Sequence, residues 1–255
     1  MIRKSVVTCS LILTICVLTK MFGYSYSTGF VKVIDPIENK VKAQVKKEEK
    51  EAQKTVLNFA NEHLPMGDKK IDHKMQKALK ANSFYRMQTL KLHQRAEKFF
   101  PIIEPILAEY GIPDDFKYMP LVESGMAHGR VSPKGAAGLW QFMPQTARDY
   151  GLTVNGNIDE RNNVRKSTVA AARYIKDLYK IFNSWTLVAA AYNVGEGRLK
   201  RQISRQQEDN YYRLKLNKET GKYVYSLISM KEVIENPVKY GYKIQNSRRL
   251  LAMKD

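Results

Sequence analysis

The sequence predicts a mainly α-helical domain. Three observations carry this: apolar residues recur at three- and four-residue intervals over 102–110 and 164–182, strand signals are scarce, and Pro or Gly stands where such helices would begin or end. At 255 residues the chain can bury a sizeable core, so one main domain with flanking regions is expected.

Taken in order, residues 1–27 open with Arg3 and Lys4, continue through the mostly apolar stretch Val6 to Leu18 and finish in Gly23-Tyr24-Ser25-Tyr26-Ser27, the layout of a secretory signal peptide. The apolar part is shorter than the about 20 residues that a membrane span needs. Leu13-Thr14-Ile15-Cys16 is only weakly similar to a bacterial lipoprotein box, because Ile15 is bulky and Cys16 lies early. Export to the periplasm or cell envelope is therefore expected, with cleavage, lipidation and retention as a membrane anchor left open. Cys9 and Cys16 both fall in this segment, so the mature chain would hold no disulfide, thiolate metal site or cysteine nucleophile. His63, His73, His93 and His128 show no tight ligand spacing, so neither metal nor cofactor is expected.

The formal charge is +18, or +15 once Arg3, Lys4 and Lys20 leave with residues 1–27. Such a cation favours polyanionic partners, and an anionic wall polymer or membrane surface suits an exported protein better than nucleic acid, for which no recognition motif is present. The same lysines would also serve solubility.

Residues 28–87 read as a charged linker and helical N-terminal region. Lys40 to Lys54 is dominated by Lys and Glu, while Leu57, Phe59, Ala60, Met75, Leu79 and Phe84 are sparse apolar positions suited to docking on a main domain. That domain is placed at 88–205. Pro101 is expected to open a helix carrying Ile102, Ile103, Ile106, Leu107 and Tyr110, which Gly111 ends. Pro113 starts the next, with Asp114 and Asp115 in its first turn at the positive end of the dipole and Glu123 near its C-terminal end. The loop 125–138 has four glycines and Pro133, which lets the backbone turn tightly around a ligand. Pro144 begins a short helix ending at Gly151, Val164 to Phe182 forms a longer one with a single apolar face, and the alanine-rich run Trp185 to Tyr192 allows close helix packing. Residues 206–255 form a basic, Tyr-rich C-terminal extension packed on the domain, either lining a groove or wrapping the core.

Glu123 is the candidate for chemistry. It follows Leu121 and Val122, and no further Asp or Glu appears until Asp149. A carboxylic acid must stay protonated near neutral pH to donate to a leaving oxygen, and apolar surroundings achieve this by disfavouring the charged form. Asp114 is excluded as a partner, since nine residues of helix would separate the two by about 13.5 Å. Asp149, Asp159, Glu160 and Glu196 remain able to fold back toward Glu123.

Four short motifs stand in order: Glu123-Ser124, Ser132-Pro133-Lys134-Gly135-Ala136, Gly138-Leu139-Trp140-Gln141-Phe142-Met143-Pro144 and Ala191-Tyr192-Asn193. Together they resemble the family 1 lytic transglycosylases, lysozyme-like SLT enzymes of bacterial peptidoglycan, over roughly residues 95–245. The resemblance is strongest to the membrane-bound lytic murein transglycosylase D type, through Leu121-Val122-Glu123-Ser124, Ala190 to Arg198 and Glu219-Thr220-x-x-Tyr223-Val224. That type often carries C-terminal LysM wall-binding modules; none stands before Asp255, and the basic surface is expected to substitute for them.

The resemblance implies a lysozyme-like, SLT or goose-type helical fold and cleavage of the β-1,4 bond between N-acetylmuramic acid and N-acetylglucosamine, with formation of 1,6-anhydromuramic acid in wall turnover or remodelling. It implies that Glu123 is the catalytic acid and base, and that the substrate's N-acetyl carbonyl takes the part of a second carboxylate. It places Ser132, Gln141, Met143, Tyr192 and Asn193 against substrate, with Tyr192 hydrogen-bonded to the catalytic carboxyl. Ser124 either ends the helix or orients the acid, and Trp140 either stacks on sugar or packs beneath the cleft. Two other functions stay open: a hydrolytic goose-type muramidase, and a non-catalytic wall-binding protein.

Overall fold

The computed structural model describes residues 57–87 and 90–242. The expected signal peptide, both cysteines and the charged stretch Lys40 to Lys54 lie outside these residues. A two-residue hairpin, β1 (Asn58–Phe59) and β2 (Glu62–His63), precedes helix α1 (Lys69–Asn82) and the helical turn α2 (Phe84–Met87). The long α3 (Lys91–Glu109) leads through a 3-10 turn (Asp114–Tyr118) into α4 (Met119–Ser124). An irregular loop then reaches α5 (Pro144–Asp149), and a 3-10 turn (Glu160–Asn162) leads into α6 (Val164–Phe182), α7 (Trp185–Val194), α8 (Glu196–Gln206) and α9 (Thr220–Glu235). The architecture is mainly α.

Helix starts follow local chemistry. The Asp68 carboxylate accepts from the N–H groups of Lys70 and Ile71 at the head of α1, and Asn163 and Ser184 cap α6 and α7 in the same way. The start of α3 departs from expectation, for Pro101 and Pro105 lie inside a helix that begins at Lys91. Each proline removes an intrahelical hydrogen bond. The helix persists because Leu92, Ala96, Phe99, Ile103, Ile106 and Leu107 bury a continuous face, and one buried aliphatic or aromatic side chain stabilises by about 1.5–3 kcal/mol. The segment after Pro113 is likewise split into a 3-10 turn and the short α4, rather than one helix.

Residues 206–255 were expected as an extension packed on the domain. Instead α9 is a core helix: Tyr223, Val224, Tyr225, Leu227, Ile228, Met230 and Val233 are all buried, covering nearly every side of it. It packs against α1, α4 and α7. The N-terminal hairpin is fastened to the same core. Phe59 is fully buried against Phe116, and Asp115 accepts from the Ala60 N–H at 2.7 Å and from the Lys231 ammonium on α9 at 2.8 Å. Glu62 reaches the N-terminus of α7, where its carboxylate accepts from the N–H groups of Trp185 and Thr186 and from the hydroxyls of Ser184 and Thr186. A carboxylate at that end of a helix satisfies free donors and complements the dipole.

Candidate active site

α4 carries Glu123 on its last turn. Gly125 ends the helix in the left-handed conformation (φ 61°), donating its N–H to the Leu121 carbonyl, so the chain turns away directly after the acid. Two cations hold this end: Arg95 donates to the Gly125 carbonyl at 2.8 Å and Arg130 to the Ser124 carbonyl at 3.1 Å. Ser124 is buried, and its hydroxyl lies 3.0 Å from the Pro120 carbonyl and 2.9 Å from that of Leu139. It joins the end of the helix to the next loop and makes no bond to the acid.

That loop is a fixed scaffold. Ala137 and Phe142 exchange two backbone hydrogen bonds, while Ser132 binds Ala136 through both its N–H and its hydroxyl. Gly138 (φ 76°) is required by space as well as conformation, because a Cβ there would stand 1.9 Å from the Arg161 carbonyl oxygen. Gln141, also at positive φ, donates its amide to the carbonyls of Arg130 and Gly138. Arg161 is buried and clamps the loop from beneath, donating to the carbonyls of Gly135 and Phe142 while Asp159 takes the rest of its guanidinium.

Glu123 lies in a cavity of about 570 Å³ whose walls include Ser132, Gln141, Met143, Tyr192, Asn193, Arg198 and Glu219. All five side chains expected against substrate thus share the cavity with Glu123. Met143 is 44% exposed there rather than packed in the core. Trp140 is fully buried behind the wall, with its indole N–H on the Thr168 hydroxyl at 3.0 Å, so it packs beneath the cleft and does not line it.

One expected contact is corrected. Tyr192 donates its hydroxyl to the Trp140 carbonyl at 2.8 Å, and the phenol that reaches the Glu123 carboxyl is Tyr223 on α9. Tyr192 instead fixes the backbone beside Gln141. The carboxylates that sequence distance left open are held elsewhere. Asp149, Asp159, Glu160 and Glu196 are bound to Gln145, Arg161, Lys166 and Lys200 respectively, and none lines this cavity. Glu219 does, held by the Asn193 amide at 3.0 Å, while the Asn193 carbonyl oxygen accepts from the Thr220 hydroxyl at 2.8 Å.

Burial pushes the Glu123 carboxyl up to about 7; the Tyr223 hydrogen bond opposes this and the negative charge of Glu219 adds to it. The shift carries the group out of the usual carboxylate range and into the neutral one. Burial holds the phenols of Tyr192 and Tyr223 well above their ordinary range, and the Glu123 charge adds to this, so both serve as neutral donors.

Residues 101–215 match a family model described as the transglycosylase SLT domain. The chain is 33% identical over 194 residues to membrane-bound lytic murein transglycosylase D of Escherichia coli (strain K12), across 73% of this chain and 42% of that protein. It thus spans less than half the length of that curated relative. Among solved structures, the 70 kDa soluble lytic transglycosylase of Escherichia coli aligns with TM-score 0.45 at 20% identity, over 68% of this chain and 30% of the other. An inactive mutant of lytic transglycosylase Slt from Pseudomonas aeruginosa aligns with TM-score 0.42 at 19% identity, over 55% of this chain and 24% of that one.

Proposed function

Since the chain belongs to the transglycosylase SLT family, we propose that it is a peptidoglycan lytic transglycosylase of the cell envelope with Glu123 as its acid and base. The observation that carries this reading is a carboxyl pushed up to about 7 in an open cavity that also presents the polar side chains of Ser132, Gln141 and Asn193, the apolar edge of Met143 and the charged Arg198 and Glu219. Such a group gives up its proton and takes it back at neutral pH, which the reaction requires in turn.

Glu123 donates its proton to the oxygen between N-acetylmuramic acid and N-acetylglucosamine, and the C1–O bond breaks. The substrate's N-acetyl carbonyl oxygen bonds to C1 and takes up the positive charge. The Glu123 carboxylate then removes the proton of the muramic C6 hydroxyl; O6 attacks C1, the acetamido oxygen leaves, and a 1,6-anhydro ring closes. The proton returns to Glu123 and no water is consumed. Tyr223 holds the carboxyl in place, while Ser132, Gln141 and Asn193 supply polar edges for sugar and Met143 an apolar one. Among the described residues no helix is long and apolar enough to cross a membrane. Retention at the envelope is assigned to the basic surface, and wall binding that salt leaves unchanged would contradict that assignment.

The test is mass spectrometry of soluble products from purified peptidoglycan, with Glu123→Gln alongside. Muropeptides lighter by one water, absent with the variant, are expected. Reducing ends would mean that water attacks instead, with Glu219 as the group able to activate it. Absence of release by the wild type would leave a wall-binding protein.

A further inference from the structure

A separate cavity of about 500 Å³, close in size to the cleft, shares no wall residue with it. The hairpin, the turn between α6 and α7 and the loop after α8 meet around it. It takes Thr186 and Leu187 from the first turn of α7, whereas the cleft takes Tyr192 and Asn193 from the last, about 10 Å along the axis.

Its charge sets it apart. In a chain with 43 Lys and Arg its wall has none, while Arg130, Lys134 and Arg198 stand around the cleft. Of its two carboxylates, that of Glu62 is already spent on the N–H groups and hydroxyls at the head of α7, and Asp209 is exposed to solvent. Neither is a buried acid, so the wall suits binding without bond cleavage, and a ligand without strongly ionised groups.

The wall offers apolar faces alternating with planar polar groups. Phe182 and Tyr212, both partly exposed, supply the first, and the amides of Asn183 and Asn210 with the Asp209 carboxylate supply the second. Among the described residues the side chains of Asn183 and Asp209 bond to nothing else in the protein. A sugar ring has the complementary surface, with hydroxyls at its edge that both donate and accept and C–H groups on its faces. The wall is also fixed in advance. Tyr211, buried within it, donates to the Thr220 carbonyl at 2.7 Å and accepts from the Val224 N–H at 3.3 Å, and Asn210 accepts from the Tyr212 N–H at 2.9 Å, so little ordering is left for a ligand to impose.

We propose that this cavity is a second, non-catalytic glycan site, which holds a strand of N-acetylated amino sugars while the cleft acts on another segment. The acetamido groups and hydroxyls of the strand meet Asn183, Asp209 and Asn210, and its ring faces meet Phe182 and Tyr212. The choice of sugar rests on the reading of the cleft as a peptidoglycan site.

The experiment is calorimetric binding of a β-1,4-linked tetramer of N-acetylglucosamine to the full chain carrying Glu123→Gln, with and without N183G/D209A. Both replaced side chains are exposed, and Asn183 stands at φ 46°, where Gly is unstrained, so the fold is expected to be retained. Two binding events are expected without N183G/D209A; with it, one weakens by about tenfold and the other is unchanged. On sacculi, N183G/D209A in the otherwise native chain should raise KM and leave kcat in place. A single event in both proteins, or two that N183G/D209A leaves alike or removes together, would overturn the proposal. Two events, one of them sensitive to N183G/D209A, with no product released from peptidoglycan by the wild type would support this site and sink the reading of the cleft. Anhydro products from the wild type with a single binding event would do the reverse.

Discussion

Among the described carboxyls, replacing Glu123 by Gln removes the titration that the structure moves furthest into the neutral range, and the consequence is measurable without any substrate. The native carboxyl holds its proton up to about pH 7, against an ordinary value of 4.5 when the chain is unfolded. Between these values the native state binds more protons than the unfolded state, so stability falls as pH rises through this window and levels off above 7. The full difference is about 2.5 pH units, or about 3 kcal/mol at 1.36 kcal/mol per unit. Wild type carries this loss between pH 4.5 and 8, and Glu123→Gln does not. Contributions from groups remote from the site are common to both proteins and cancel.

The stability gap between variant and wild type should therefore shift in the variant's favour by about 3 kcal/mol from pH 4.5 to pH 8, whatever its size at either end. In a domain of this size that corresponds to roughly 6–12 °C in the difference of midpoints. Denaturant unfolding at several pH values reads it directly. Parallel profiles for the two proteins would mean that Glu123 is ionised throughout, and the argument for a neutral acid in the cleft would fail.

Four other substitutions probe the supports of the site. Tyr223→Phe removes the hydrogen bond that pulls the Glu123 value down, so the alkaline limb of the pH–rate profile should move to higher pH; Tyr192→Phe, which frees only the Trp140 carbonyl, should cost about 1 kcal/mol of stability and leave that limb in place. Gly138→Ala drives a methyl into the Arg161 carbonyl at positive φ, and a loss of about 3 kcal/mol or more in thermal or denaturant unfolding is expected. Glu62→Ala strips the head of α7 of its acceptor and should destabilise by about 2 kcal/mol, read by the same unfolding curves, with activity retained below the midpoint.

The parts of the site legible in the sequence were those whose spacing is local. α6 and α7 follow from periodicity and caps, and Ser132, Gln141, Met143, Tyr192 and Asn193 came as short motifs that one loop and one helix deliver together. Arg161, Glu219 and Tyr223 were missed as site residues because their partners lie 19 to 100 residues away. One signal was available. Glu219 and Tyr223 stand four residues apart, so the start of α9 presents both on one face; what the sequence withheld was that α9 is buried and turns that face toward α4. The interior prolines of α3 misled for a related reason, since propensity yields wherever enough apolar face is buried.

The corrected contacts bear on how one carboxyl can serve two steps. A Glu123 left at its ordinary value would be ionised at neutral pH and would make a ready base but a scarce acid; a value pushed far higher would reverse this. Three segments set the balance. Burial at the end of α4 and the Glu219 charge raise the value, and the Tyr223 phenol restrains the rise by favouring the ionised form. Glu219 and Tyr223 both come from the start of α9, so one rigid element supplies the opposing influences, and Asn193 on α7 fixes the carboxylate of the pair. On the mechanism proposed above, a group held near 7 would be present in either form at neutral pH, so proton donation to the leaving oxygen and proton removal from the C6 hydroxyl would both fall to the same side chain.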